Sequence, residues 1–131
     1  MDTGKKRILC ADADEDHRSL ESALFRAAGY EVVTAEGISD ALRIARDEDF
    51  DLYLVAYKLQ DGTGLELCKR LREFDGVTPV LFFSARVYEV DVRGALEAGA
   101  NAFLRKPDDT AMLAATASGL IGSRRDPATT P

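Results

Sequence analysis

The chain has 131 residues, 46% hydrophobic and 31% charged, with a net charge of −6. This fits one globular domain, large enough to bury a core without disulfide or metal staples. The acidic balance argues against a general nucleic-acid binder, no apolar run is long enough for a membrane span, and two cysteines, Cys10 and Cys68, make neither a disulfide nor a zinc framework. The segment from Met1 to Arg7 leads into a strand and not a signal-peptide core, so a cytoplasmic location is expected.

Arg7 to Ala11 reads as a short buried strand. Asp12, Asp14, Glu15 and Asp16 follow it closely, interrupted by Ala13. A helix is predicted from about Asp16 to Ala28, with Leu20, Leu24 and Ala27 or Ala28 as its apolar stripe and Gly29 as its stop. Tyr30 to Thr34 is rich in aromatic and β-branched residues and reads as a second strand. Ser39 offers an N-cap to a helix carrying Ala41, Leu42, Ile44 and Ala45.

Asp51 to Ala56 is a third apolar strand, and Asp61-Gly62-Thr63-Gly64 is a turn cluster. Leu65, Cys68 and Leu71 mark the buried stripe of the next helix, with Lys69, Arg70 and Arg72 on its wet side. Pro79 to Ser84 reads as strand four, where a leading proline is tolerated. A helix from about Tyr88 to Ala98 ends at Gly99, and Ala102 to Arg105 is a short fifth strand. Lys106-Pro107 breaks that strand. Asp108 or Asp109 then caps a last helix reaching about Ile121. Residues 1–122 are read as one domain and the polar residues 123–131 as a flexible tail.

Five strand–helix units in series imply a doubly wound parallel sheet, whose site lies at the carboxyl ends of the strands. The acidic segment after strand one is not a calcium loop. The sixth and twelfth positions of such a loop, where glycine and glutamate are needed, hold His17 and Ala23. Nor does a glycine-rich phosphate loop follow the strand. An acidic helix start explains Glu15 and Asp16 well, but Asp12 less well. Ser84 alone reads as a strand cap, and Lys106 alone as a solvated lysine. An acid, a hydroxyl and a lysine at successive strand ends together point to phosphoryl handling.

From Arg7 to about Ile121 the chain resembles the receiver domain of two-component response regulators. The resemblance rests on Ile8-Leu9, Asp51-Leu52, Leu59 to Leu65, Pro79-Val80, Ser84-Ala85, Gly99-Ala100-Asn101 and Phe103 to Pro107, in that order and spacing. It implies a flavodoxin-like α/β fold with five helices and strand order 2-1-3-4-5. It also implies a signalling module, not an enzyme, that meets a histidine kinase or a downstream protein. In the family an aspartate ending strand three accepts a phosphoryl group, and two acids after strand one hold Mg²⁺. A Ser or Thr and a Lys bind the phosphoryl oxygens, and a strand-five aromatic acts as a switch. By position Asp12 is the first acid, Ser84 the hydroxyl, Lys106 the lysine and Phe103 the aromatic.

The chain departs from that pattern at two positions. Ala56 stands at the phosphoacceptor position and Ala13 at the second acid, with Asp14 one residue beyond the pair. A methyl group neither accepts a phosphoryl group nor coordinates a metal, so Mg²⁺ binding, left to Asp12, is expected to be weak or lost. The leading expectation is a phosphorylation-independent module acting through the face of the fourth helix, fifth strand and last helix, with Lys106 free to pair with Asp12 and Lys58 as a third member. The alternative is a phosphoryl-accepting regulator whose acceptor was replaced at Ala56, or that uses an unusual acceptor. A flavodoxin-like redox or nucleotide domain is a third reading, weakened by the missing phosphate loop. No nucleic-acid, membrane or output-domain function is expected within these residues. Homodimerisation through the last helix is an expectation of the resemblance alone. His17 is expected on an exposed helix face, and both cysteines as small core residues.

Overall fold

The computed structural model describes residues 4–85 and 88–124. Five strands, β1 (Arg7–Ala11), β2 (Glu31–Ala35), β3 (Leu52–Val55), β4 (Val80–Ser84) and β5 (Ala102–Arg105), form one sheet in the order β2-β1-β3-β4-β5. All neighbours are parallel. Five helices alternate with them: α1 (Glu15–Ala27), α2 (Ile38–Asp47), α3 (Gly64–Arg72), α4 (Glu89–Glu97) and α5 (Leu113–Arg124). A 3-10 turn, Thr110–Met112, leads into α5. The expected tail lies outside the described residues from position 125 onward, and α5 runs beyond the expected end at Ile121.

The strands read as continuous apolar runs because helices cover both faces of the sheet. Successive side chains alternate between those faces. Leu9, Tyr53, Val55, Val80 and Phe82 join Ala41, Leu42, Leu67, Cys68, Leu71 and Ala95 on the side of α2, α3 and α4. Ile8, Cys10, Leu52, Leu54, Leu81, Phe83 and Leu104 join Phe25, Leu113, Ala117 and Ile121 on the side of α1 and α5.

Four local expectations are corrected. Leu20 is 51% exposed, and the residues buried on α1 are Glu21, Ser22 and Phe25. The helix is therefore rotated from the expected stripe, and Phe25 sets its phase. Ser39 does not cap α2. Gly37 is the N-cap, and Asp61 supplies the carboxylate from a distant loop, accepting from Ile38 N at 2.5 Å and Ser39 N at 3.1 Å. A Cβ on Gly37 would stand 2.6 Å from Asp61 Oδ1, so only glycine leaves room for this cap. Arg72 is not confined to the wet side of α3. Its guanidinium donates to Gly99 O, Asp75 O, Thr78 O and Asn101 Oδ1, tying α3 to the segments that flank β4 and β5.

Likewise, neither Asp108 nor Asp109 caps α5 directly. Asp109 Oδ2 instead accepts from Arg105 N at 2.8 Å and closes the turn after β5. The turn cluster before α3 is a small antiparallel hairpin pairing Lys58–Leu59 with Gly62–Thr63. Thr63 Oγ1 then caps α3 by accepting from Glu66 N. Gly64 permits the chain to pass close under β3, since a Cβ there would lie 2.2 Å from Ala56 O.

Candidate functional site

A cavity of about 650 Å³ opens at the carboxyl edge of the sheet. Asp12, Ala13, Asp14, His17, Ala56, Tyr57, Lys58, Ser84 and Lys106 contribute to its walls. The loops after β1, β3, β4 and β5 thus converge where sequence reasoning looked for a site. Ala56 is 6% exposed and forms part of the cavity wall. Ala13 is half-buried, and its backbone N–H donates to Lys58 O at 3.2 Å.

The acidic loop is already occupied by internal contacts. Asp12 is 3% exposed, and its Oδ1 accepts from Asp14 N at 3.0 Å. The Asp14 carboxylate caps α1 by accepting from His17 N at 3.0 Å. That backbone hydrogen bond, in an exposed setting at a helix N-terminus, holds Asp14 below the usual carboxylate range. Arg18 donates to Asp12 O and Ala13 O and so fixes the backbone of the loop.

Lys106 enters from the end of β5. Its backbone N–H donates to Ser84 O at 2.9 Å, and the Lys106–Pro107 peptide is cis. Its side chain lies 5.3 Å from the Phe83 ring centroid, with the ammonium donating to Asp12 Oδ2 at 2.5 Å. The same Nζ is 3.0 Å from Glu21 Oε2. Both carboxylates are buried, with side-chain exposures of 5% for Asp12 and 3% for Glu21. Two buried acids therefore share one buried cation, and the triad carries a net charge of −1 when all three groups are ionised.

The charge balance has visible consequences. Burial raises the Glu21 carboxyl to about 7, and the neighbouring Asp12 adds to that rise while Lys106 opposes it. Burial by itself lowers the Lys106 pKa, but the carboxylates of Glu21 and Asp12 outweigh it and leave the ammonium above its ordinary value. Burial also pushes the Cys10 thiol up, and its Sγ lies 3.9 Å from Glu21 Oε1. Cys68 is likewise buried, consistent with a packing role for both thiols.

The remaining expected residues fall around this triad. Ser84 is 3% exposed on the cavity wall. Phe103 is half-buried and stacks on Phe82 at 5.9 Å between centroids and 9° between planes. Tyr57 is half-buried, whereas Lys58 stays exposed at the rim rather than joining Asp12 and Lys106. His17 lies on the exposed side of α1, with Nδ1 3.3 Å from Lys106 Nζ. Sequence reasoning missed Glu21. The signal was its place four residues before Phe25, which puts both on one face of α1.

Comparison with known proteins agrees with this geometry. The family profile of the response regulator receiver domain matches residues 8–118. The sensory/regulatory protein RpfC of Xanthomonas campestris pv. campestris is 35% identical over 94% of this chain and 18% of its own length. The transcriptional regulatory protein PrrA of Mycobacterium tuberculosis is 37% identical over 98% of this chain and 56% of its own. The chain thus spans only part of the curated relatives it matches. Among solved structures, a CheY-like response regulator receiver domain protein from Methanospirillum hungatei superimposes with a TM-score of 0.87 at 25% identity, covering 92% of this chain and 97% of that one. A putative response regulator from Chloroflexus aurantiacus gives 0.85 at 27% identity, over 90% and 98%.

Proposed function

This chain belongs to the response regulator receiver family, and on that premise we propose that it is a receiver-like signalling module that works without phosphorylation. The observation that carries this reading is the vacancy at Ala56, joined to the ion pair between Lys106 and Asp12. The acceptor position offers a methyl group, and the lysine that would meet phosphoryl oxygens is neutralised from within. The other carboxylates near the cavity are committed elsewhere: Asp14 to the start of α1 and Asp61 to the start of α2.

The same geometry does not suit Mg²⁺. A hard divalent cation needs several oxygen ligands in a near-octahedral set. Here Asp12 uses one oxygen on Asp14 N and the other on Lys106, and Ala13 and Ala56 have no side-chain oxygen to give. The Lys106 ammonium takes the place of a metal as the counter-charge to Asp12. Output then runs through protein contacts with a histidine kinase or a downstream signalling protein. Support for a contact surface comes from Tyr88, Val90 and Leu96, at the start of and along α4, which are 71%, 69% and 48% exposed. Among the described residues no helix is long and apolar enough to cross a membrane.

Titration with millimolar Mg²⁺, followed by amide NMR shifts, tests the metal-free arrangement. Shifts at Asp12, Ala13 and Lys106 are expected to stay unchanged. Saturable movement there would overturn it.

A further inference from the structure

Glu21 has no role in the receiver resemblance, yet it makes a close buried contact in the site. It sits on the buried face of α1, where the helical period would place a core side chain beside Phe25. A carboxylate in that setting is costly unless it is paired. Its partners account for both oxygens: Oε2 faces Lys106 Nζ at 3.0 Å, and Oε1 lies 3.9 Å from Cys10 Sγ. Lys106 is thus reached from two elements, by Asp12 at the end of β1 and by Glu21 from α1. Asp12 alone would already neutralise it.

We propose that Glu21, in its ionised form, is a built-in anion for Lys106, an internal substitute for an anionic ligand that ties the turn after β5 to α1. The turn is Arg105 to Asp109, closed by Arg105 N on Asp109 Oδ2 and by Asp109 N on Arg105 O. On the α1 side the turn is anchored by the Lys106 side chain, so the position of the turn follows from where that ammonium is held. This inference rests on the reading that no phosphoryl group competes for Lys106. It extends that reading by naming the group that holds the lysine instead.

Hydrogen exchange on the full chain tests it, comparing the parent with Glu21→Gln and Glu21→Leu at about pH 8, where Glu21 is ionised. Gln keeps the shape without the charge, and Leu suits the apolar face around Phe25. Loss of a charge-assisted hydrogen bond is expected to speed exchange at the amides of Lys106 and Asp109 about tenfold. Core amides of β1 and β3 should keep their protection, and the Lys106 side-chain NMR resonances should move. Unchanged exchange at Lys106 and Asp109 would overturn the proposal. So would an equal acceleration at every amide, which would make Glu21 a general stability residue. Phosphoryl uptake by the parent chain would refute the preceding reading without altering this comparison.

Discussion

Lys106→Met isolates the electrostatics of the pocket. Methionine keeps an unbranched stem over the Phe83 ring but removes the ammonium, leaving Asp12 and Glu21 buried together without their shared cation. Removing one partner from a buried ion pair costs about 3–5 kcal/mol, because the remaining charge is stranded. A domain of this size is stable by about 5–15 kcal/mol in total, so the loss should be large. Urea unfolding at pH 8 should show it directly as a lower denaturant midpoint, and thermal unfolding as a fall in melting temperature on the order of 10 °C or more. At pH 5 the loss should shrink. Glu21, raised to about 7 in the parent, then holds a proton and no longer repels Asp12. A loss below about 1 kcal/mol at pH 8 would refute the reasoning and mean that the carboxylates are solvated; an equal loss at both pH values would refute the part assigned to Glu21.

The parent protein should lose stability as pH rises from 5 to 8. The folded value of about 7 for Glu21 lies above the ordinary 4.5, so its contribution is complete below 4.5 and gone above 7. That difference corresponds to about 3 kcal/mol, and Glu21→Gln should flatten this part of a urea-derived stability curve. Arg72→Ala removes donors to Gly99 O, Asp75 O, Thr78 O and Asn101 Oδ1 and should cost about 2–4 kcal/mol in denaturant unfolding. Arg72→Lys should recover only a minor part, since one ammonium cannot span carbonyls on both sides of the guanidinium.

The centre of the sheet was legible because β1, β3 and β4 are buried on both faces and therefore appear as apolar runs between turn residues, while the edge strands β2 and β5 are only partly buried and were read from their β-branched and aromatic residues. Boundaries moved by a residue or so, as with β2 at Glu31–Ala35 in place of Tyr30 to Thr34. Helix phase was harder to read on α1. Leu20 and Leu24 have helical spacing, but the face that meets the sheet carries Glu21 and Ser22 beside Phe25. Two polar residues on a buried face defeat a hydrophobicity pattern, and the tolerance of Glu21 depends on Lys106, far away in the chain. The cap of α2 was hidden for a related reason. Asp61 is remote in sequence, and Ser39 looked sufficient locally. Asp12, Ser84 and Lys106 could be placed from strand ends alone. The identity of the second group holding Lys106 required the third dimension.

The central claim is that this receiver works with no acceptor carboxylate at Ala56. The most direct test is intact mass after incubation of the full chain with a small phosphodonor and Mg²⁺. The account predicts an unchanged mass under conditions that fully label a receiver with an aspartate acceptor. A gain of one phosphoryl mass that is lost on hydroxylamine treatment would reveal an acyl phosphate on another carboxylate and contradict it.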